Sequence, residues 1–333
     1  MVLLSRGSWG VLGALVALGS SCKPALEGRA SEVLGPTILA VRSEPAEARP
    51  GERVEIRGLA LDADGRERSS ELGFAFCQAP KSLKELGPVS GRCLDPKSDA
   101  LAQIPTTSVT LGVLDPVACR RFGPETPVAK AGEPPGRPVD PDPSGGYYQP
   151  IRAAIADTEA PIAFGFTRLA CGLAGAPAAV SAAFTARYTP NNNPRPIGLF
   201  EVQDDGAELA WPETATVGPG AQSLRLRVKW RDCPPARSAD TPPAPCDGRE
   251  HTVRFDLDQR VLVDVEEAIR VSWYSTPGAT FDADRTGREA TDPSTVSENT
   301  LVLEEGTDAL VLAVVLRDDR GGTGWWVQRL RRR

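Results

Sequence analysis

Apolar and polar residues alternate with a period of two along most of this chain, as half-buried strands require. Leu224, Leu226, Val228 and Trp230 alternate with Arg225, Arg227, Lys229 and Arg231. Val54-Glu55-Ile56-Arg57-Gly58-Leu59 repeats the pattern near the N-terminus, opened by the turn Pro50-Gly51 and closed by Leu61-Asp62-Ala63-Asp64-Gly65. Residues 38–41, 72–77, 147–155, 162–169, 253–255, 261–265, 269–274, 301–303 and 325–330 add further strand-like runs. Leu310 to Leu316 is apolar at every position, which predicts a strand covered on both faces. Asp319-Arg320-Gly321-Gly322 then reads as a hairpin turn into the last strand. One helix is predicted over residues 177–188, with Pro177 in its first turn and Val180, Phe184 and Tyr188 at four-residue spacing. Short strands divided by Pro/Gly turns predict an all-β chain of tandem β-sandwiches.

A length of 333 residues suits two domains. Thr189-Pro190-Asn191-Asn192-Asn193-Pro194-Arg195-Pro196 bars regular structure and marks the boundary. The expected organisation is a signal segment over 1–21, a flexible tether over 22–35, a first sandwich over 36–190, a link over 191–196 and a second sandwich over 197–333. Residues 80–146 break the strand rhythm and read as an insertion in the first sandwich; Pro, Gly and Asp dominate its last third.

Cys22 changes the picture from fold to address. One arginine, an apolar run over residues 9–18 and the small residues Gly19, Ser20 and Ser21 precede it. That is the layout of an export signal, and the run is too short to span a bilayer. A cysteine at the first mature position predicts lipidation, with a free thiol in a plain secreted protein, or an uncleaved anchor, as the competing readings. Without Cys22 six of the seven cysteines remain: Cys77, Cys93, Cys119, Cys171, Cys233 and Cys246. An even set in an exported chain predicts three disulfides, and the absence of any C-x-x-C pair argues against structural zinc. Cys233 and Cys246 flank a proline-rich loop and are expected to pair, a closure worth ~3 kcal/mol on the chain-entropy estimate. The other four allow three connectivities.

The segment "PTILAVRSEPAEARPGERVEIRGLALDADG" resembles the opening strands of bacterial immunoglobulin-like domains. "GYYQPIRAAI", "RLACGLAGAPAAVSAAFTARYTPNNNP" and "VLRDDRGGTGWWVQRLRRR" resemble a group of myxobacterial cell-envelope lipoproteins. The resemblance implies immunoglobulin-like sandwiches, each strand set being one domain, and a lipid-anchored outer-membrane location facing periplasm or cell surface. It implies no activity.

Charge and candidate chemistry narrow the function further. The net charge is −6, which argues against generic nucleic-acid binding. His251, the only histidine, has no serine nucleophile turn near it. Neighbouring carboxylates such as Glu266-Glu267 and Glu304-Glu305 point apart on a strand and do not form the facing pair that glycosidases use. Asp62 and Asp64, like Asp282 and Asp284, could begin a calcium loop, yet Asp-x-Asp-Gly is also an ordinary hairpin turn; no cofactor is expected. The basic row from Arg225 to Arg231 reads as the wet face of a strand. Tyr147-Tyr148 and Trp325-Trp326 are the candidate binding aromatics, one ring of each pair being expected inside and one outside. The expectation is a non-enzymatic envelope module that binds an envelope protein or a glycan and meets the membrane through its lipid; a carboxylate hydrolase is the alternative.

Overall fold

The computed structural model describes residues 29–81, 85–105, 109–122, 146–156, 162–173, 176–218, 220–236, 242–287 and 294–332. Cys22 and the whole signal segment lie outside them, as does most of the proline-rich last third of residues 80–146.

The first sandwich contains β1 (Thr37–Glu44), β2 (Glu47–Ala48), β3 (Arg53–Leu61), β4 (Leu72–Cys77), β5 (Leu101–Ile104), β6 (Leu111–Val113), a short α1 (Ala118–Phe122), β7 (Gly146–Ile155) and β8 (Ala163–Ala170). One sheet runs β1-β3-β6 and the other β2-β8-β7-β4-β5. A helix, α2 (Ala178–Arg187), follows, with Pro177 as its cap residue.

The second sandwich contains β9 (Pro196–Val202), β10 (Glu208–Ala210), β11 (Thr214–Val217), β12 (Ser223–Trp230), β13 (His251–Asp256), β14 (Val261–Glu266), β15 (Arg270–Ser275), β16 (Ala279–Phe281), β17 (Arg285–Gly287), β18 (Val296–Leu303), β19 (Ala309–Arg317) and β20 (Thr323–Arg332). Its sheets run β10-β9-β12-β18-β16 and β11-β20-β19-β15-β17, with β13 and β14 as a separate hairpin.

The two halves follow one plan. Strands β1, β3 and β6 correspond in order and pairing to β9, β12 and β18, and β2-β8-β7-β4-β5 corresponds to β11-β20-β19-β15-β17. In each half a short strand crosses to the second sheet and lies parallel to the last strand, β2 on β8 and β11 on β20. This split, with the first, second and fifth main strands opposite the third, sixth and seventh, is the immunoglobulin layout. Trp273 occupies the third main strand of the second half and is fully buried, where that layout places its core tryptophan.

Alternation explains each core. Leu224, Leu226, Val228 and Trp230 turn inward, while the arginines between them face solvent and pair off. Arg227 meets Glu298, its cross-strand neighbour, and both Arg227 and Lys229 reach Glu208. Three disulfides reinforce the loops: Cys77–Cys93, Cys119–Cys171 and Cys233–Cys246. The connectivity left open in the sequence is therefore settled by space: Cys93 lies beside the end of β4, and α1 carries Cys119 to the end of β8.

Leu101–Ile104 and Leu111–Val113 correct the expectation of an unbroken insertion over 80–146. They supply an edge strand to each sheet, β5 on β4 and β6 on β3. Their runs of three or four residues were too short for a period of two to register. The tether is corrected as well, because residues 31–33 are clasped to the second sandwich. Ser31 and Val33 are buried, Val33 donates its N–H to Ser275 and Ser275 donates to Ser31.

The sandwiches also share a hydrophobic layer. Leu39, Ala40, Leu59 and Leu61 on the outer face of β1 and β3 pack against Val311, Ala313 and Val315 of β19. A bulge between Ile38 and Ala40 lets consecutive residues of β1 reach this layer. The unbroken apolar run of β19 is thus two half-patterns: Leu310, Leu312, Val314 and Leu316 serve the second core, and the residues between them serve the junction.

Candidate functional site

The link between the domains is irregular, as its prolines require, but it is buried and threaded between charged groups. Tyr188 donates its hydroxyl to Glu47 at 2.6 Å and accepts from Arg168 and Arg320 at 3.2 and 3.3 Å. Asn191 donates its backbone N–H to Glu47 and its amide to Asp318. Asn192 gives both its N–H and its amide to Glu250. Asn193 donates to the Ser43 carbonyl at 2.7 Å and accepts from the Thr323 N–H at 2.9 Å.

Arg320 is the centre of this network. The turn between β19 and β20 is 4% exposed at Arg320, which donates to Glu267 at 2.5 Å, to Glu250 at 2.7 Å and to the Thr189 carbonyl at 2.9 Å. Burial and the charge of Glu267 push the Glu250 carboxyl up to about 7, and burial with the charges of Asp318 and Asp319 pushes Glu267 up to about 8, against the pull of Arg320. Burial likewise raises Asp318 to about 6, against the pull of Arg320. Arg320 stays charged, its neighbours outweighing the cost of its burial.

Glu250 and Glu267 are the converging carboxylates that sequence reading missed. The hairpin register pairs His251 with Glu266, so the residues just outside it fall opposite each other. Pairing the two apolar runs of β13 and β14 across residues 257–260 would have revealed this. Both carboxyls are enclosed and bound to Arg320, so neither can reach a glycosidic oxygen. His251 sits in the hairpin, 3.8 Å from the Glu266 carboxylate.

The accessible chemistry lies at the same junction but on its surface. A groove of about 460 Å³ is lined by Arg42, Arg57, Arg195, Asn192, Asn193 and Trp325 among others. Arg42 lies over the Trp325 ring at 4.5 Å, a cation–π contact. Its Nη1 donates to the Thr323 carbonyl at 3.3 Å, while its Nε is buried without a partner. Glu44 and Asp247 also border the groove; Glu44 accepts from Asn193 and Asp247 pairs with Arg231. A second hollow of about 410 Å³ adjoins Trp325 and holds Trp211, Trp326 and Val327.

The expected aromatics are therefore divided. Trp325 and Trp326 are both half-buried and both border hollows, which corrects the expectation of one ring in and one out. Trp325 turns toward the junction layer and Trp326 toward the second core, but that core does not close over β20 at its edge. Tyr147 is buried in the first core, and Tyr148 is half-buried, its hydroxyl accepting from Arg168 at 3.1 Å. Those two serve the fold.

Asp62 and Asp64 shape a turn. Asp62 accepts the Ala63 N–H and lies 3.5 Å from Arg68, and Asp64 accepts the Arg66 N–H. Among the described residues no cluster of three acidic, histidine or cysteine side chains is arranged to hold a metal. Asp284 accepts from Ser31, fixing the N-terminal segment.

Fold and groove together define a tandem β-sandwich protein of immunoglobulin-like topology with ligand-sized hollows at its domain junction. No protein-family model and no curated protein matches the sequence. Among solved structures it is similar to the fibronectin(III)-like modules of Clostridium thermocellum CbhA, at 9% identity and a TM-score of 0.19, over 88% of this chain and 94% of that one. It is similar to the Dpr2 Ig1-Ig2 and DIP-Theta Ig1-Ig3 complex at 9% identity and 0.20, over 90% and 99%. Dimeric latent PorU from Porphyromonas gingivalis gives 12% identity and 0.20; 91% of this chain spans 24% of that one. At such scores the immunoglobulin-like assignment rests on strand order and pairing.

Proposed function

We propose that this protein is a lipid-anchored binding module of the bacterial outer membrane, without catalytic activity, that holds its ligand in the groove around Trp325. The carrying observation is the groove: an aromatic ring, three arginines, two amides and two carboxylates line one accessible hollow between two mutually clamped sandwiches. Ligand sites favour such concave junctions, where rigid elements fix a few polar groups. Buried Glu250 and Glu267 are bound to Arg320 within the junction, which removes that pair of carboxyls from hydrolytic chemistry.

A photo-crosslinking residue placed at Trp325 in the producing cell is expected to capture a discrete envelope component, while the same residue at Leu257, exposed in the β13–β14 turn, captures none. Equal capture from both positions, or none from either, would refute the groove as the site.

The anchor rests on the sequence: Cys22 follows an apolar export segment, and the other six cysteines are bonded to one another. Cys22→Ser is expected to move the protein from the membrane fraction to the soluble fraction. Retention in the membrane fraction would refute lipidation at that residue.

A further inference from the structure

Strand β20 has neighbours on both sides only over part of its length. Strand β11 covers Thr214–Val217 against Arg329 to Arg332, while β19 pairs with β20 from Thr323 to Arg331. Among the described residues no strand lies on the other side of Gly324 to Gln328. The direction of that open side follows from its two ends. The Thr323 N–H donates sideways to Asn193, and the Arg329 N–H points to the Glu213 carbonyl. Backbone groups alternate along a strand, so Trp325 and Val327 turn their N–H and C=O groups toward the open edge.

Exposed edges are normally blunted by charge, proline or a bulge. This one carries Gly324, Trp325, Trp326 and Val327 and none of those devices. It is bordered by the link near Pro194 and by Pro212 and Glu213, so it admits only a short segment. The two hollows follow one another along it, with Trp325 common to both.

The charge beside the edge identifies the segment. Arg42 and Arg57 stand directly opposite each other on β1 and β3, an arrangement of like charges that is unfavourable across a strand pair. Arg57 is offset by Glu55 at 2.6 Å, and Glu44 stands near both cations; Arg42 has the weaker compensation, its buried Nε lacking a hydrogen-bond partner. Arg195 extends into the same groove with its side chain exposed. A carboxylate placed here would separate the two cations and meet Arg42 in a charge-assisted hydrogen bond.

We infer that the open edge of β20 receives an extended peptide segment by strand addition, with an acidic side chain of that segment seated between Arg42 and Arg57. This rests on the groove as the binding site and names its occupant. Main-chain hydrogen bonds to Trp325 and Val327 supply attachment, and the arginines select the side chain. The added strand's alternate residues fall toward Trp326 and Trp211, where an apolar side chain fits.

The test uses the purified full chain and a fluorescent heptapeptide, Thr-Val-Glu-Val-Thr-Val-Thr. Binding is expected to weaken at least tenfold when Glu is replaced by Lys, and to vanish when alternate peptide amides are N-methylated. Arg42→Gln should lower affinity at least fivefold and the exposed Arg195→Gln at least twofold. Peptide should slow hydrogen exchange at Gly324 to Gln328. Equal binding of the Glu and Lys peptides, or indifference to N-methylation, overturns the inference. Binding of trigalacturonate in place of peptide overturns it while leaving the groove as a site for an acidic glycan. Self-association that masks Trp325 and persists in Arg42→Gln also overturns it. Failure of both peptide and trigalacturonate, combined with absent crosslinking at Trp325, removes the groove reading itself.

Discussion

Gly65 shows how much a single residue can mean at this junction. It closes the Asp62–Gly65 turn with a positive φ of 77°, and a Cβ there would lie 2.4 Å from Val311 Cγ2. Both the left-handed backbone and the approach of β19 therefore require glycine. The Asp-x-Asp-Gly sequence marked a turn or a cation loop; the unseen reason for its final residue was a strand 246 positions away (311 minus 65). Gly65→Ala is expected to destabilise the chain by about 2 kcal/mol or more, since it combines backbone strain with overpacking. Urea unfolding measures this, and a loss below about 0.5 kcal/mol would contradict the packing described. At this scale the sequence was legible where a residue acted locally. The core side of β12, the solvent side of Arg225 to Arg231 and the Cys233–Cys246 closure all depend on neighbours in the chain or strand. Arg320, Glu250 and Glu267 were opaque because their partners are far apart in sequence and meet only when the β13–β14 hairpin packs against the β19–β20 turn.

At the scale of elements, β19 joins the two halves by having two apolar faces. A strand in an ordinary sandwich with one wet face would alternate, so Leu310 to Leu316 announced that both faces were covered. It did not say by what. The junction residues contributed by the first sandwich, Leu39, Ala40, Leu59 and Leu61, look in sequence like ordinary strand positions, and a bulge in β1 hides their phase. The same limit applied to Asn191, Asn192 and Asn193, whose composition suggests a solvated link while their amides bind buried partners. Val311 tests whether the shared layer behaves as a core. It is 5% exposed, and Val311→Ala is expected to cost about 1–3 kcal/mol, comparable to a core truncation. The accompanying unfolding curve should remain a single transition. Two separated transitions in the unaltered protein, with Val311→Ala changing neither midpoint, would show that the sandwiches do not depend on each other.

The whole molecule carries its strongest titration where the domains meet, so the junction should make stability depend on pH. Glu250, Glu267 and Asp318 are raised to about 7, 8 and 6, chiefly by burial. A carboxyl whose folded value lies above its unfolded value holds its proton longer in the folded state. Between about pH 5 and pH 8 the unfolded chain then binds fewer protons, and stability falls as pH rises. Protonation is favourable here because Glu250, Glu267 and Asp318 are withdrawn from water and crowd one another and Asp319, against the pull of the Arg320 guanidinium. Glu71 and Glu208, which arginine or lysine partners hold below the usual value, are ionised in both states throughout this window and leave the sign unchanged. The expected result is a Tm at least about 3 °C lower at pH 8.5 than at pH 5, measured by scanning calorimetry at constant ionic strength. Asp318→Asn isolates one contributor. Asp318 accepts from Arg320, Gly322 and Asn191 through Oδ1, and an asparagine oxygen can keep those bonds while removing the charge. The variant should lose part of the pH dependence, with its largest gain relative to the unaltered protein at pH 8.5. A Tm that is flat or rises from pH 5 to pH 8.5 would mean that the junction carboxyls ionise as freely folded as unfolded, and that their burial around Arg320 does not raise them.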